Sequence, residues 1–229
     1  MQSRRSTSEA GINSGDVPEA PQAGGLDLVP DGELVLVRHG LPERGLTGAD
    51  RADPWLSDRG RTEAELLAEF LAAEKFDAIY SSPRKRAMET VAPISAATGL
   101  EIRPLDGLAE FDKHSDEYLF FDDLQKAGDP RYKACLRGDL SAWNTDYPTF
   151  RAEVMEAITE ITAKHVGEKV LVSSHGGALN TMLGAVLGLD RMWFFYPKHT
   201  GICRVAVDHK RNRMRIVTLN EHSHLRALD

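Results

Sequence analysis

The run Leu34-Val35-Leu36-Val37 carries no polar side chain on either face, so a strand built from it must be covered from both sides. Val170-Leu171-Val172 makes the same demand. Each run leads into a histidine followed by glycine: Arg38-His39-Gly40 after the first, and Ser173-Ser174-His175-Gly176-Gly177 after the second. Strands buried on both faces belong to parallel sheets with helices above and below. The expected fold is therefore an α/β three-layer sandwich: a mostly parallel central sheet with helices on both faces and an inserted cap region.

Helical and strand periods alternate along the rest of the chain as that architecture requires. Residues 33–37 read as the first strand. Ser57 is placed to cap a helix running to about Glu74, with Ala64, Leu67, Phe70 and Leu71 on one face. Asp77 to Tyr80 form a second strand, and Ser82-Pro83 starts a helix that Gly99 can end in the left-handed conformation. Ala87, Val91 and Ile94 mark its buried face. A short strand at Glu101 to Arg103 leads into a polar region with weak helical pieces, and residues 111–147 within it are the expected cap. Phe150, Val154, Ile158 and Ile161 trace an amphipathic helix, Lys169 to Ser173 another buried strand, and Leu179, Met182, Leu183, Val186 and Leu187 the next apolar stripe. Ile202 to Val207 and Met214 to Leu219 flank the polar turn 208–213 as a hairpin at the sheet edge. Residues 31–229 form one domain on this reading. Residues 1–30, rich in Ser, Gly, Pro and Gln, cannot offset the entropy of ordering and are expected to be a flexible tail.

Composition narrows the function classes. A formal charge of -7 argues against nucleic acid as the main partner, so any anion site has to be a local positive pocket on a negative body. Cys135 and Cys203 are too few and too far apart for a disulfide framework or a zinc spacing, which points to a cytoplasmic protein. No apolar stretch reaches the length of a membrane span. The Arg4-Arg5 pair is not followed by the hydrophobic region that an export signal needs.

Ligands of open parallel sheets bind at the carboxyl ends of the strands. Arg38, His39, Arg84 and His175 all fall at that edge. Two guanidiniums and two imidazoles in one pocket favour an anionic ligand and raise the cost of protonating the histidines, which keeps an imidazole neutral for nucleophilic attack. Arg84, in the first turn of its helix, sits where the helix dipole disfavours a cation, so phosphate binding explains it better than structure does. Arg86, beside Lys85, reads as surface charge. His165 and His209 occupy ordinary structural positions, and His222 with His224 lacks a third ligand, so no metal site is expected. Lys113, His114 and the segment 196–200 are candidates for the pocket mouth.

Taken together, Arg38-His39-Gly40, Leu56-Ser57-Asp58-Arg59-Gly60, Ser81-Ser82-Pro83-Arg84-Lys85-Arg86-Ala87-Met88-Glu89-Thr90, Leu108-Ala109-Glu110 and Ser174-His175-Gly176-Gly177 resemble the histidine phosphatase superfamily, in its phosphoglycerate-mutase-like branch. The resemblance spans roughly residues 33–219. It implies that His39 is the nucleophile and carries a phosphohistidine, that Arg38, Arg84 and His175 bind the phosphoryl oxygens, and that Glu110 is the general acid. Asp106, Asp112, Asp116 and Glu117 are the other carboxylates within reach of that last role. Gly176 and Gly177 would bring backbone amides to the phosphate, and Ser57 is a helix cap with phosphate contact as its second reading. The arginines supply the positive charge, so no metal or other cofactor is implied. The loop Leu41-Pro42-Glu43-Arg44 departs from the family pattern, and the region after Glu110 is short for a mutase. The expected activity is hydrolysis of a small phosphorylated metabolite. A phosphoglycerate-mutase-type phosphotransferase and a catalytically silent phospho-ligand binder are the alternatives, and the oligomeric state is left open.

Overall fold

The computed structural model describes residues 31–228, and the expected tail at 1–30 lies outside them. Six strands form one sheet in the order β3-β2-β4-β1-β5-β6. They are β1 (Gly32–Arg38), β2 (Ala78–Ser81), β3 (Ile102–Pro104), β4 (Lys169–Ser174), β5 (Ile202–Asp208) and β6 (Arg213–Glu221). β3, β2, β4 and β1 run parallel, while β5 and β6 are antiparallel additions at one side. Each strand falls within a residue or two of its expected position.

Alternation along β1 divides the core. Val35 and Val37 face one layer together with Leu67, Leu71, Val91 and Ile94, from α1 (Asp58–Leu71) and α2 (Lys85–Thr98). Leu34 and Leu36 face the other, with Phe150, Val154, Ile158 and Ile161 of α5 (Tyr147–Lys164) and Leu179, Met182 and Leu183 of α6 (Gly176–Val186). Those α5 side chains are each no more than 2% exposed, and full burial of residues this size contributes about 1.5–3 kcal/mol apiece. The segment 111–147 holds α3 (Phe121–Lys126) and α4 (Pro130–Leu136) and packs Phe111, Leu124, Cys135, Leu140 and Trp143 into the same layer as α5 and α6.

The chain leaves β1 toward α1 on one face and leaves β4 toward α6 on the opposite face. Since β1 and β4 are neighbours, the sheet opens a crevice between their carboxyl ends, which is where such sheets hold ligands.

Three expectations shift. The first helix stops at Leu71 rather than near Glu74, and Phe70 is 42% exposed, as Leu187 is at 51%. α2 starts at Lys85, not Pro83. The reason is local: Ser82 Oγ accepts from the Arg84 amide at 3.3 Å, closing a turn before the helix, and Arg84 remains extended at its N-cap. The later start puts Arg86, Ala87, Thr90, Val91 and Ile94 on the buried face.

α1 fixes the loop that follows β1. Ser57 caps the helix by accepting from the Gly60 amide at 3.1 Å and donates its hydroxyl to the Leu41 carbonyl at 3.0 Å, while the Leu41 amide donates to buried Glu63 at 2.8 Å. Gly60 lies so close to Leu41 that a Cβ would overlap the Leu41 carbonyl oxygen. Gly60→Ala should therefore cost about 1–3 kcal/mol in urea unfolding, and Ser57→Ala about 1 kcal/mol.

Candidate active site

His39 and His175 follow directly on paired strand ends. Arg38 is in register with Ser174, and the His39 amide donates to the Ser174 carbonyl at 2.9 Å. The two imidazole centroids are 5.0 Å apart, both rings buried. His39 Nδ1 lies 2.8 Å from the Gly40 carbonyl oxygen. A carbonyl can only accept, so Nδ1 carries the proton and donates it, leaving the Nε2 lone pair outward. Burial first, then Arg86, His175 and Arg38, push the His39 pKa well below its ordinary value, so the ring is neutral at physiological pH. His175 is depressed in the same direction, mainly by burial and then by Arg86. Its Nε2 pairs with Ser82 Oγ at 2.8 Å, and its Nδ1 makes no hydrogen bond within the described residues.

The arginines fall out differently from the sequence reading. Arg38 is at the crevice: it donates to the Pro197 carbonyl at 2.6 Å and stacks 5.2 Å from the centroid of the Tyr196 ring. Arg84 does not line the crevice, and its guanidinium donates to the Lys113 carbonyl instead. Arg86, expected at the surface, is fully buried and lines the crevice. The displaced helix start accounts for both placements. Asp53 and Asp112 balance the Arg86 charge at 3.6 and 3.7 Å, and its guanidinium lies 4.4 Å from the Tyr118 ring centroid. None of its three nitrogens makes a hydrogen bond among the described residues. A buried guanidinium with every donor free is a fork held out for an oxyanion.

Glu110 lies at the start of the 111–147 segment, buried, with Oε2 accepting from the Gly177 amide at 2.7 Å and Oε1 from the Phe111 amide at 3.3 Å. Burial, reinforced by Asp112, raises its pKa to about 7. Of the competing carboxylates only Asp112 lines the crevice, and it faces Arg86, whereas Glu117 pairs with Arg51 at 3.8 Å. The Gly-Gly pair is explained by proximity: a Cβ on Gly177 would run into the Glu110 carboxyl and come within 2.7 Å of Met192. The Gly177 amide thus serves Glu110 rather than a phosphate, while Gly176 lines the crevice itself.

Ser57 caps α1 and holds the Leu41 carbonyl, and is not on the crevice wall. Lys113 pairs with Glu153 at 2.6 Å, and neither it nor exposed His114 reaches the crevice. His165 bonds Tyr80 at 3.1 Å, His209 pairs with Asp31 at 3.0 Å, and His224 meets Thr200 at 3.0 Å. No group of three metal-ligating side chains occurs among the described residues. Within the segment 196–200 the important residue is His199, whose ring is 5.7 Å from His39 and whose pKa burial and Arg38 push down to about 2. From sequence this stretch is a candidate for the pocket mouth alone. Buried Thr200 turns the chain at φ +50° while its amide donates to the Arg38 carbonyl at 3.0 Å, a long-range turn that leaves no periodic signal.

The crevice closes to a cavity of about 60 Å³ open to water, room for roughly five water molecules. Its wall includes Arg38, His39, Arg86, Glu110, His175 and His199, a cluster of two guanidiniums with imidazoles held neutral and a carboxyl that keeps its proton up to about pH 7. Such a set can bind a tetrahedral anion, attack it and protonate a departing oxygen.

Comparison with known proteins agrees with that chemistry. Residues 34–222 match the family model of the histidine phosphatase superfamily (branch 1). Phosphoserine phosphatase 1 of Hydrogenobacter thermophilus is 30% identical over 205 residues, covering 84% of this chain and 94% of that protein. The metal-independent phosphoserine phosphatase of Arabidopsis thaliana is 28% identical over 158 residues, 66% of each chain. Among solved structures, YhfR of Bacillus stearothermophilus superposes with a TM-score of 0.71 at 23% identity, covering 85% of this chain and 99% of that one, which shows the shared fold.

Because burial raises the Glu110 pKa from its ordinary 4.5 to about 7, the stability it contributes is complete below that ordinary value and is lost as pH rises through about 7. Glu110→Gln should therefore be more stable than the wild type above pH 8, by at most about 3 kcal/mol in urea unfolding, with the gap closing below pH 5. Inorganic phosphate binding, followed by calorimetry, should be lost in Arg86→Ala and weakened far less in Arg84→Ala.

Proposed function

We propose that this chain, which belongs to the histidine phosphatase superfamily (branch 1), hydrolyses its substrate in two phosphoryl transfers through His39. It is a phosphatase acting on a small phosphorylated metabolite. The observation that carries the mechanism is the neutral His39 ring, with Nδ1–H tied to the Gly40 carbonyl and Nε2 free, beside the unpartnered guanidinium of Arg86.

In the first transfer His39 Nε2 attacks phosphorus, the P–O bond to the alcohol breaks, and Glu110 gives its proton to the departing oxygen. The products are phosphohistidine, a free alcohol and the Glu110 carboxylate. In the second, water attacks phosphorus, Glu110 takes one of its protons, and the N–P bond breaks to release phosphate and restore both residues. Arg86 and the free Nε of Arg38 neutralise the equatorial oxygens, and His175 Nδ1 is available for a third contact. The positive charge comes from side chains, and no step calls for a metal. A hydrogen-bond donor at Gly40 rather than an acceptor would have selected the wrong tautomer.

Residues 111–147 serve as the cap over this site. Buried, unpaired Cys135 and Cys203 support a cytoplasmic setting, and no helix among the described residues is long and apolar enough to cross a membrane.

Purified protein should release phosphate from p-nitrophenyl phosphate in the presence of a chelator, and His39→Ala should abolish this. A rapid acid quench should trap a phosphoryl group that is acid-labile and alkali-stable on His39; its absence in a turning-over enzyme would remove the nucleophile assignment. Priming by bisphosphoglycerate would instead indicate a mutase, and binding without turnover a silent binder. For alkyl phosphates kcat/KM should fall as pH rises through about 7, following Glu110, with no loss near the ordinary histidine value of 6.5 because His39 is already neutral there. Glu110→Gln should slow alkyl esters by roughly 10²–10⁴ and the nitrophenyl ester much less.

A further inference from the structure

Besides the imidazoles, arginines and Glu110, the crevice is lined by a cluster of aromatic side chains. Phe111 packs edge-to-face on Trp143 at 4.9 Å and on Phe121 at 6.3 Å, and Phe121 meets Trp193 at 5.3 Å. Phe111 and Trp143 are buried and Leu119, Phe120, Phe121 and Trp193 half-buried, and all six line the crevice.

The charges on this wall are already matched. Besides Arg38 and Arg86, the arginine or lysine lining the crevice is Arg44, which is ion-paired with Asp123 and stacked 3.8 Å from the centroid of the Phe120 ring. Asp122, at the exposed rim, accepts from the Tyr196 hydroxyl at 3.3 Å, and Asp112 faces Arg86 at 3.7 Å. A substrate carrying a carboxylate next to its phosphate would need a cation here that is not already neutralised, and an ammonium group would need a buried carboxylate. Burying either charge unmatched is costly, whereas an apolar group covers surface the aromatics leave open.

We propose that the alcohol portion of the substrate is uncharged and apolar, an aryl or branched-alkyl group seated against Phe111, Phe121, Trp143 and Trp193. This rests on the phosphatase reading and narrows it: the selectivity differs from that named for the phosphoserine phosphatases this chain resembles. Hydrolysis then yields a free apolar alcohol and phosphate, so the reaction that supplies the substrate must phosphorylate such an alcohol or release its phosphomonoester.

The test is kcat/KM of the full chain for four esters of primary alcohols, matched in leaving-group chemistry: 3-phenylpropyl phosphate, n-propyl phosphate, O-phosphoserine and 3-phosphoglycerate. A hydrophobic pocket gives at least about tenfold for a well-seated apolar increment, so the phenylpropyl ester should exceed the propyl ester by tenfold or more, with both charged esters below propyl. A ratio under tenfold, or either charged ester matching the phenylpropyl ester, overturns the proposal. Phe121→Ala and Trp193→Ala should each lower the phenylpropyl-to-propyl ratio, and an unchanged ratio in both would also overturn it. Should either variant fail to fold, the wild-type ratio decides alone. Release of phosphate from none of the four esters, nor from p-nitrophenyl phosphate, would sink the phosphatase reading itself, a result distinct from turnover without apolar preference.

Discussion

The parallel pairing of β1 with β4 is the constraint on which the site depends. It sets Arg38 opposite Ser174 and lets the His39 amide close the ladder onto the Ser174 carbonyl, so the two histidines leave the sheet side by side. Both strands are buried on both faces, and a slip of one residue would turn each apolar set the wrong way. The 5.0 Å spacing of the imidazoles therefore follows from the hydrophobic register of the sheet. The opposite departures of the chain after these strands, toward α1 and toward α6, open the crevice in which the rings stand.

Around that pair the protein balances charge without quenching it. Arg86 is held by two carboxylates at distances short enough to offset part of its charge but too long to occupy its hydrogen-bond donors. The same field and the same burial lower the affinity of His39 for a proton, while burial and Asp112 raise that of Glu110. One environment thus keeps an imidazole in its free-base form and a carboxyl in its acid form, the pair that the proposed two-step transfer needs. Glu63 and Thr90 serve this arrangement from the other layer: they accept the Leu41 and Gly40 amides, at 2.8 and 2.9 Å, and so fix the backbone on which His39 sits.

The cap contributes differently. Its helices are short, yet Phe111, Leu124, Leu140 and Trp143 anchor it in the core shared with α5 and α6. The residues between those anchors need not be buried for stability, so their half-exposed aromatic surface is free to shape what the crevice accepts. The sheet edge positions the imidazoles, and the segment 111–147, its packing secured in the core, supplies aromatic side chains to the crevice wall.

The strands and the placement of His39 and His175 at their ends could be read from the chain alone, because apolar runs and strand-end motifs are local signals tied to a burial requirement, whereas Glu110 was marked out only by the family resemblance. The choice between Arg84 and Arg86 could not. It depends on a Ser82 hydroxyl closing a turn that delays α2 by two residues, leaving Arg84 extended at the N-cap and Arg86 on the buried face of the helix. His199 was equally hidden, since a positive-φ turn at Thr200, pinned to the Arg38 carbonyl, sets it beside His39 just before the chain enters β5. The sequence by itself determined which strands are buried and what chemistry stands at their ends. Only the tertiary structure decided which charges share the cavity and which are already spent on each other, because pairing and desolvation are set by distances between segments remote in the chain.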